Sequence, residues 1–333
     1  VIGKPQTFLV IQTAFIGDVI LATAIVEKLR KSYPDSSIDF LLRKGNESLL
    51  NNHPYLREVL IWDKKKGKIR NLFRLLTSIR NRKYETIINI HRFASSGMIT
   101  ALSGAHNRVG FRKNPWSFAF TQSITHDLNA NLHEIDRNQK LIESITDKQR
   151  ELPRLYPSLV DFDTVSKFKL GKYLCVAPTS VWFTKQYPAT QWVEFIESVP
   201  MHYDRIYLLG APTDKGVCES IRNATMSDRV HNLAGQLSFL ESAALMKDAT
   251  MNYVNDSAPM HLASAMNAPV SAIFCSTVPA FGFGPLSDNS FIIESKEKLT
   301  CRPCGLHGHK ACPQKHFKCA TTIGSNELLS SIE

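Results

Sequence analysis

Two successions of short apolar runs, each run followed by a helical stretch, predict an α/β chain of two Rossmann-like, doubly wound domains facing a central cleft. Three observations carry this. Strand and helix patterns alternate through both halves. The rhythm breaks only between Leu152 and Gly171, where Pro153 and Pro157 mark an irregular connection. Each half also opens with a buried-type strand that stops at a polar corner before a helix. The expected domains are 1–160 and 170–333.

In the first half, strands are expected at Phe8–Gln12, Ser37–Leu42, Glu58–Trp62 and Thr86–Ile90. The first ends at Thr13-Ala14-Phe15-Ile16-Gly17-Asp18, and Leu21 to Arg30 then alternates at helical period. Gly17 permits close approach of backbone to a ligand. Asp18 falls in the first turn of a helix, at the carboxyl end of a strand, where open α/β sheets bind ligands. The alternative is a plain first-turn acid that complements the helix dipole. No G-x-G-x-x-G is present, so a dinucleotide fingerprint is absent.

A basic stretch separates the third and fourth strands: Lys64-Lys65-Lys66-Gly67-Lys68-Ile69-Arg70, then Arg74, Arg80, Arg82 and Lys83. Leu72, Phe73, Leu75, Leu76 and Ile79 interleave at helical spacing. Such a basic amphipathic helix either packs its apolar face on a sheet or lies on a membrane surface.

In the second half, strands are expected at Tyr173–Ala177, Arg205–Leu209, Thr250–Val254 and Val270–Phe274. The loop after the first, Ala177 to Pro188, offers the hydroxyls of Thr179, Ser180 and Thr184 and the cation of Lys185 to phosphate oxygens. Asp214, after Leu208-Leu209-Gly210, is either a ribose contact or the cap of a helix over Lys215–Arg222. The corner Asn255-Asp256-Ser257-Ala258-Pro259-Met260-His261 precedes a small-residue helix expected over Leu262–Ala268. Asp256 or Ser257 can cap that helix, and its N-terminus is a candidate diphosphate seat.

The 333 residues suffice for two full cores, and a hydrophobic fraction of 43% is that of a globular chain. No apolar run reaches the 18 or so residues of a membrane span, and no signal-peptide plan is visible, so a cytoplasmic location is expected. The net charge of +10 favours an anionic partner: nucleic acid, acidic lipid or a phosphorylated substrate.

Taken together, the corners resemble glycosyltransferase family 9, the ADP-heptose:lipopolysaccharide heptosyltransferases, over nearly the whole chain. Ile16-Gly17-Asp18-Val19-Ile20-Leu21 matches the family's opening G-D pattern. Thr184-Lys185-Gln186-Tyr187-Pro188 resembles its K-R-W-P loop, with Gln186 and Tyr187 in place of Arg-Trp. Asn255 to Ala263 resembles N-D-[ST]-G-x-x-H-[LV]-A, with Ala258 in place of Gly. His133-Glu134-Ile135-Asp136-Arg137 is similar to its H-x-x-[ED]-R segment.

The resemblance implies a GT-B fold, with the acceptor on the N-terminal domain and the nucleotide sugar on the C-terminal one. It implies inverting transfer of heptose from ADP-heptose to an anionic lipid-linked saccharide of the lipopolysaccharide inner core. This would occur at the cytoplasmic face of the inner membrane, in peripheral contact with it and without nucleic acid. Asp18 would be the general base, for which an ordinary ionised carboxylate suffices. Lys185 would neutralise the leaving diphosphate, assisted by Thr179 and Ser180; the backbone N–H groups after Asp256, at Ser257 and Ala258, would hold phosphate, and Asp214 and His261 would complete the donor-binding set. Gly17, Arg92, Arg108 and Arg112 are the candidate acceptor contacts; the alternative for the arginines is surface charge. Preorganised positive charge can replace a metal at the diphosphate, so no catalytic cofactor is expected. Two alternatives stand beside this: a transferase of the same fold using another nucleotide sugar, and a non-catalytic binder of anionic glycolipid or nucleic acid.

Cys175, Cys218 and Cys275 fall in or near core elements and read as buried thiols. Cys301, Cys304, Cys312 and Cys319 form C-x2-C-x7-C-x6-C in the Cys/His-rich tail 301–319, with His307, His309 and His316 among them. This resembles the cysteine-containing tail of some family members. The four either seat a structural zinc or pack as unligated thiols.

Overall fold

The computed structural model describes residues 6–64, 67–128 and 131–332. The chain divides into two compact units between Tyr156 and Pro157, so residues 157–160 belong to the second unit and not, as expected, to the first.

The first unit contains β1 (Thr7–Ile11), α1 (Ile16–Ser32), β2 (Ser37–Arg43), β3 (Leu56–Trp62), α2 (Lys68–Asn81), β4 (Thr86–Asn89), α3 (Ala94–Leu102), β5 (Asn107–Phe111), β6 (Gln122–Ile124) and α4 (Glu134–Gln139). Its strands pair in parallel in the order β3-β2-β1-β4-β5-β6. Phe8 to Ile11 and all of β4 are buried, as strands covered on both faces must be.

The second unit contains α5 (Leu159–Ser166), β7 (Tyr173–Ala177), α6 (Ala189–Ser198), β8 (Arg205–Leu208), α7 (Lys215–Ala224), β9 (Val230–Asn232), α8 (Phe239–Lys247), β10 (Met251–Asn255), α9 (Ala258–Ala265), β11 (Val270–Phe274), β12 (Ser290–Glu294), α10 (Lys318–Thr321) and α11 (Ser325–Leu329). Its sheet is also parallel, in the order β12-β11-β10-β7-β8-β9. Counted from its own first strand, this is the strand order of the first unit. The sequence shows no internal repeat, yet the two sheets share one topology.

All eight expected strands are present within one or two residues. The strands not expected, β5, β6, β9 and β12, lie at or next to sheet edges. The stretch read as an irregular connection contains α5, which packs on α8. Its start is closed by a reciprocal cap: Ser158 Oγ accepts from Asp161 N–H at 3.2 Å, and the Asp161 carboxylate accepts from Ser158 N–H at 2.7 Å.

On α2, Leu72 and Ile79 are buried in the first unit's core beside Leu9, Leu41 and Trp62, and Leu76 is buried too. Arg70, Phe73, Arg74 and Thr77 remain exposed, Phe73 by 59%. The apolar face of this helix therefore packs on the core. Lys65, Lys66 and the side chains of Lys68 and Ile69 lie outside the described residues.

Candidate active site

In each sheet the strand order reverses at one point, between β1 and β4 in the first and between β7 and β10 in the second. Ligands of open parallel sheets bind in the crevice at the carboxyl ends of strands flanking such a point. Both expected corners fall there.

At the first reversal, β1 ends at Ile11 and the chain turns through Gln12 to Phe15 into α1. Gln12 Oε1 accepts from Ala14 N–H at 3.2 Å, which fixes the turn. Phe15 occupies the cap position but has no polar side-chain atom to accept the helix's first N–H groups. Asp18 reaches back instead, accepting from Phe15 N–H at 3.2 Å. The helix-dipole role and the site position thus coexist in one residue. Gly17 has no left-handed backbone, so φ does not require a glycine there.

Burial, then the negative charge of Glu134, push the Asp18 carboxyl up to about 6, against the Phe15 hydrogen bond and the Arg92 charge, which pull it down. This corrects the expectation of an ordinary carboxylate. A carboxyl near 6 is still mostly ionised at pH 7.

Glu134 reaches this corner because α4 packs on α1. Its carboxylate accepts from Arg137 Nε at 2.8 Å and meets His126 Nε2 at 3.0 Å, with Arg92 Nη1 3.8 Å away. Burial alone would raise Glu134. The His126 hydrogen bond and charge, with Arg137 and Arg92, outweigh it and hold the carboxyl below its ordinary value. Glu134 and His126 are the functional candidates that sequence reasoning missed here. The quoted H-x-x-[ED]-R segment contained Glu134, but nothing local linked it to Asp18.

Across the reversal, β4 leads into His91 and Arg92. His91 Nδ1 lies 3.0 Å from Thr13 Oγ1, and burial, with the charges of Lys64, Arg92 and Arg43, pushes its imidazole down to about 3. Lys64 Nζ donates to Thr13 O at 3.1 Å and Oγ1 at 3.0 Å. Arg43 stacks its guanidinium 5.0 Å from the Phe15 ring centre. The corner is therefore ringed by Lys64, Arg43 and Arg92.

Of the three candidate arginines, only Arg92 joins this cluster. Arg108 sits near the amino end of β5, away from the carboxyl edge, with its guanidinium committed to the carbonyls of Ala105 and Ala119. Arg112 follows the carboxyl end of β5, is exposed, and donates to Ser123 O at 3.4 Å. These two side chains fit the surface and loop-holding alternative.

At the second reversal, Asn255 ends β10 and knits it to the loop after β7. Its Oδ1 accepts from Tyr187 N–H at 2.9 Å, and its Nδ2 donates to Ala177 O and Thr179 O, each at 3.4 Å. Tyr187 is buried, with its hydroxyl on Ile323 O at 2.8 Å, so it serves the core. Gln186 donates to Ser180 O at 2.6 Å, closing the loop on itself. The hydroxyls of Thr179 and Ser180 are only partly buried and make no hydrogen bond among the described residues.

Asp256 does not cap α9. Its Oδ2 accepts from Thr277 Oγ1 at 2.6 Å and lies 2.6 Å from Lys185 Nζ. Ser257 takes the cap position without a side-chain cap bond, its Oγ donating to Asn255 O at 3.3 Å. The helix begins at Ala258, four residues before its expected start. Its N-terminus therefore carries no side-chain cap. Pro259 has no N–H, and that of Met260 already donates to Ser257 O at 3.1 Å. The first-turn donors at this corner are thus the N–H groups of Ser257 and Ala258. Ala258 has an ordinary helical backbone, so its methyl fits where glycine was expected. His261 is buried on the first turn.

Asp214 follows β8, one strand from the reversal. Its carboxylate accepts from Ala211 N–H at 2.8 Å, which closes the turn ahead of α7. It makes no side-chain bond to the start of α7 itself, so it does not cap that helix through its side chain.

Cys175, Cys218 and Cys275 are buried, as expected. Burial pushes the Cys304 and Cys319 thiols up, and each is raised further by its neighbours in the tail: Cys301 and Cys312 for the first, Cys312, Cys301 and Cys304 for the second. Cys301 Sγ lies 3.8 Å from His316 Nε2. Among the described residues no three metal-ligating side chains stand in ligating positions. The donor chemistry nevertheless suits a thiolate-loving ion.

A family model described as glycosyltransferase family 9 (heptosyltransferase) matches residues 72–315. Lipopolysaccharide heptosyltransferase 3 of Escherichia coli is 26% identical over 293 residues, covering 83% of this chain and 85% of that protein. Two solved structures share the fold. A glycosyl transferase family 9 protein from Veillonella parvula superposes with a TM-score of 0.84 at 18% identity, covering 98% of this chain and 95% of that one. The ADP-heptose lps heptosyltransferase II of E. coli superposes at 0.82 and 20% identity, covering 98% and 97%.

Proposed function

Because the chain belongs to glycosyltransferase family 9 and has the two-domain GT-B fold of that family's solved structures, we propose that this glycosyltransferase moves heptose from ADP-heptose to the lipopolysaccharide core. The observation that carries the reading is the placement of both corners at the strand-order reversals of their sheets. The names of the relatives supply the donor and acceptor class.

Asp18 takes the proton of the acceptor hydroxyl as that oxygen bonds to the anomeric carbon. The bond from that carbon to the diphosphate breaks on the opposite face, so the configuration inverts. The charge left on ADP is met by Lys185 and by the N–H groups of Ser257 and Ala258 at the N-terminus of α9. Thr179 and Ser180 add hydroxyl donors. Asp256 holds Lys185 ready, and His261 stands buried on the first turn of α9. The cation ring of Lys64, Arg43 and Arg92 suits an anionic saccharide.

These fixed charges supply what a divalent ion would otherwise give the leaving group, so turnover is expected to survive chelation. A structural zinc, if bound, would take Cys301, Cys304, Cys312 and Cys319 as ligands, by their soft donor chemistry. No helix among the described residues is long and apolar enough to cross a membrane. Peripheral contact with the cytoplasmic face of the inner membrane is supported by the exposed basic face of α2.

Calorimetric titration with ADP, UDP and GDP tests the donor. ADP-selective binding is expected, and a preference for UDP or GDP would move the donor away from ADP-heptose. The product anomer, read by NMR, tests inversion. Binding of RNA with steep salt dependence and no sugar transfer would overturn the enzyme reading.

A further inference from the structure

The reaction outlined above gives the segment 301–319 no part beyond stability, yet that segment is fastened to the carboxyl edge that carries Lys185. Arg302 donates to the carbonyls of Phe274 at 3.0 Å, Cys275 at 2.7 Å and Thr277 at 2.7 Å, and pairs with Glu294. Cys304 N–H donates to Ser276 O at 2.7 Å. Further along, Thr184 N–H donates to His309 O at 3.1 Å, and His309 N–H returns to Thr184 Oγ1 at 2.8 Å. Ser276 Oγ donates to the same Thr184 oxygen at 3.0 Å. Thr184 is the residue immediately before Lys185.

Between these fastenings lies Gly308, with φ at +76°. A Cβ added there would stand 2.9 Å from Thr184 Oγ1, 3.1 Å from Lys185 Cγ and 3.3 Å from Ser276 Oγ. The bare glycine backbone thus lies against the stem of Lys185. Both requirements, the left-handed backbone and the missing side chain, fall on one residue.

We propose that the Cys/His-rich tail is a working part of the donor site. Gly308 and His309, through Thr184, position Lys185. Arg302 positions Thr277, which in turn donates to Asp256. These are positioning residues that act through Lys185 and Asp256. The proposal rests on the reading of Lys185 as a diphosphate contact.

The test is ADP titration calorimetry on Gly308→Ala and Thr184→Val, each alone and combined with Lys185→Ala. Donor KM, acceptor KM and thermal melting are measured alongside. Thr184→Val removes the oxygen that His309 and Ser276 share, at nearly constant volume. Each single variant is expected to weaken ADP roughly tenfold, the scale of one displaced charge-assisted contact. Donor KM should rise and acceptor KM should not. In the Lys185→Ala background neither change should cost anything further, because both act through that side chain.

Full ADP affinity in both folded variants overturns the proposal. So does an additive loss in the Lys185→Ala background, which would mark general damage to the unit. If Gly308→Ala does not fold, Thr184→Val carries the test alone. If Lys185→Ala itself leaves ADP affinity intact, the underlying reading of Lys185 fails, and the proposal with it.

Discussion

Lys185 Nζ lies 2.6 Å from Oδ2 of Asp256, with 15% of the lysine side chain and 8% of the aspartate side chain exposed. The loop after β7 and the corner after β10 are thus joined by an ion pair directly beside the start of α9. Asp256 keeps a second partner in Thr277, so Lys185 can share its charge with an incoming diphosphate while the carboxylate stays hydrogen-bonded. Lys185→Ala is expected to weaken ADP binding about ten- to a hundredfold. It should also cost ~1–3 kcal/mol of stability by leaving Asp256 half-compensated. Asp256→Asn should cost less donor affinity, because it frees the cation instead of removing it. Equal losses in the two variants, by calorimetry, would show that the pair is only structural.

Asp18 predicts an acid limb in the rate. With its carboxyl near 6, log kcat/KM should fall by one per pH unit below about 6 and level off above. Asp18→Asn should lower kcat by about 10²–10⁴ and leave ADP affinity unchanged. The same variant should gain stability. A carboxyl that titrates higher in the folded than in the unfolded chain costs stability once ionised. That cost is absent below about pH 4, grows between about 4 and 6, and is complete above. Asp18→Asn should therefore be more stable than the parent at pH 7.5, by ~3 kcal/mol, and equally stable at pH 4. Retained transfer in this variant would remove Asp18 as the base.

Glu134 makes a separable prediction. Its negative charge is the second cause of the raised Asp18 carboxyl, after burial. Glu134→Gln should move the acid limb below 6, short of the ordinary aspartate value, because burial remains. It should also destabilise by ~3 kcal/mol, since Arg137, whose side chain is 1% exposed, would lose its carboxylate. An unmoved limb in a folded variant would show that Glu134 does not act on Asp18.

The parts of this molecule that were legible in the sequence are those whose physics is local. Phe8 to Ile11, Tyr173 to Ala177 and Met251 to Val254 are apolar enough to announce strands covered on both faces. Gln122–Ile124 and Val230–Asn232 are three-residue edge strands whose polar members are half-buried, and no periodicity can develop in so short a run. The helix Leu159–Ser166 was hidden by Pro153 and Pro157, although Ser158 and Asp161 carried a readable capping box. Asp18 and Lys185 sit in corners spelled out by consecutive residues. The Glu134, His126 and Arg92 cluster comes from three separate segments, and Gly308 lies more than a hundred residues from Thr184. Such relations exist only once the sheets and helices are packed.

The exposed face of α2 should bind anionic bilayers. Phe73 stands 59% exposed between Arg70 and Arg74, and no acidic residue occurs from Lys68 to Asn81. An aromatic ring beside two arginines favours insertion at a negatively charged lipid surface. Sedimentation with vesicles containing phosphatidylglycerol should retain the protein, and Phe73→Ser combined with Arg70→Ser should release most of it. Neutral phosphatidylcholine vesicles should bind neither. Leu72, Leu76 and Ile79 hold the helix to the core, so the double variant should keep its melting temperature. Undiminished sedimentation of the variant would assign the contact to another surface.

The tail offers a prediction about metal that is independent of the proposed positioning of Lys185. Cys301, Cys304 and Cys312 are partly exposed and Cys319 is buried; burial, then the neighbouring tail thiols, raise Cys304 and Cys319. Bringing a zinc ion among the four would deprotonate them and draw them inward as ligands. Elemental analysis of protein purified without chelator should find about one zinc per chain. Strong chelation, or Cys301→Ser with Cys304→Ser, should then lower the melting temperature by several degrees. Turnover per folded molecule should persist in chelator, since the leaving diphosphate is met by Lys185 and the start of α9. Protein free of zinc and iron, with melting unmoved by chelator, would establish the four as packing thiols. Loss of turnover at unchanged melting would instead place a metal in the chemistry.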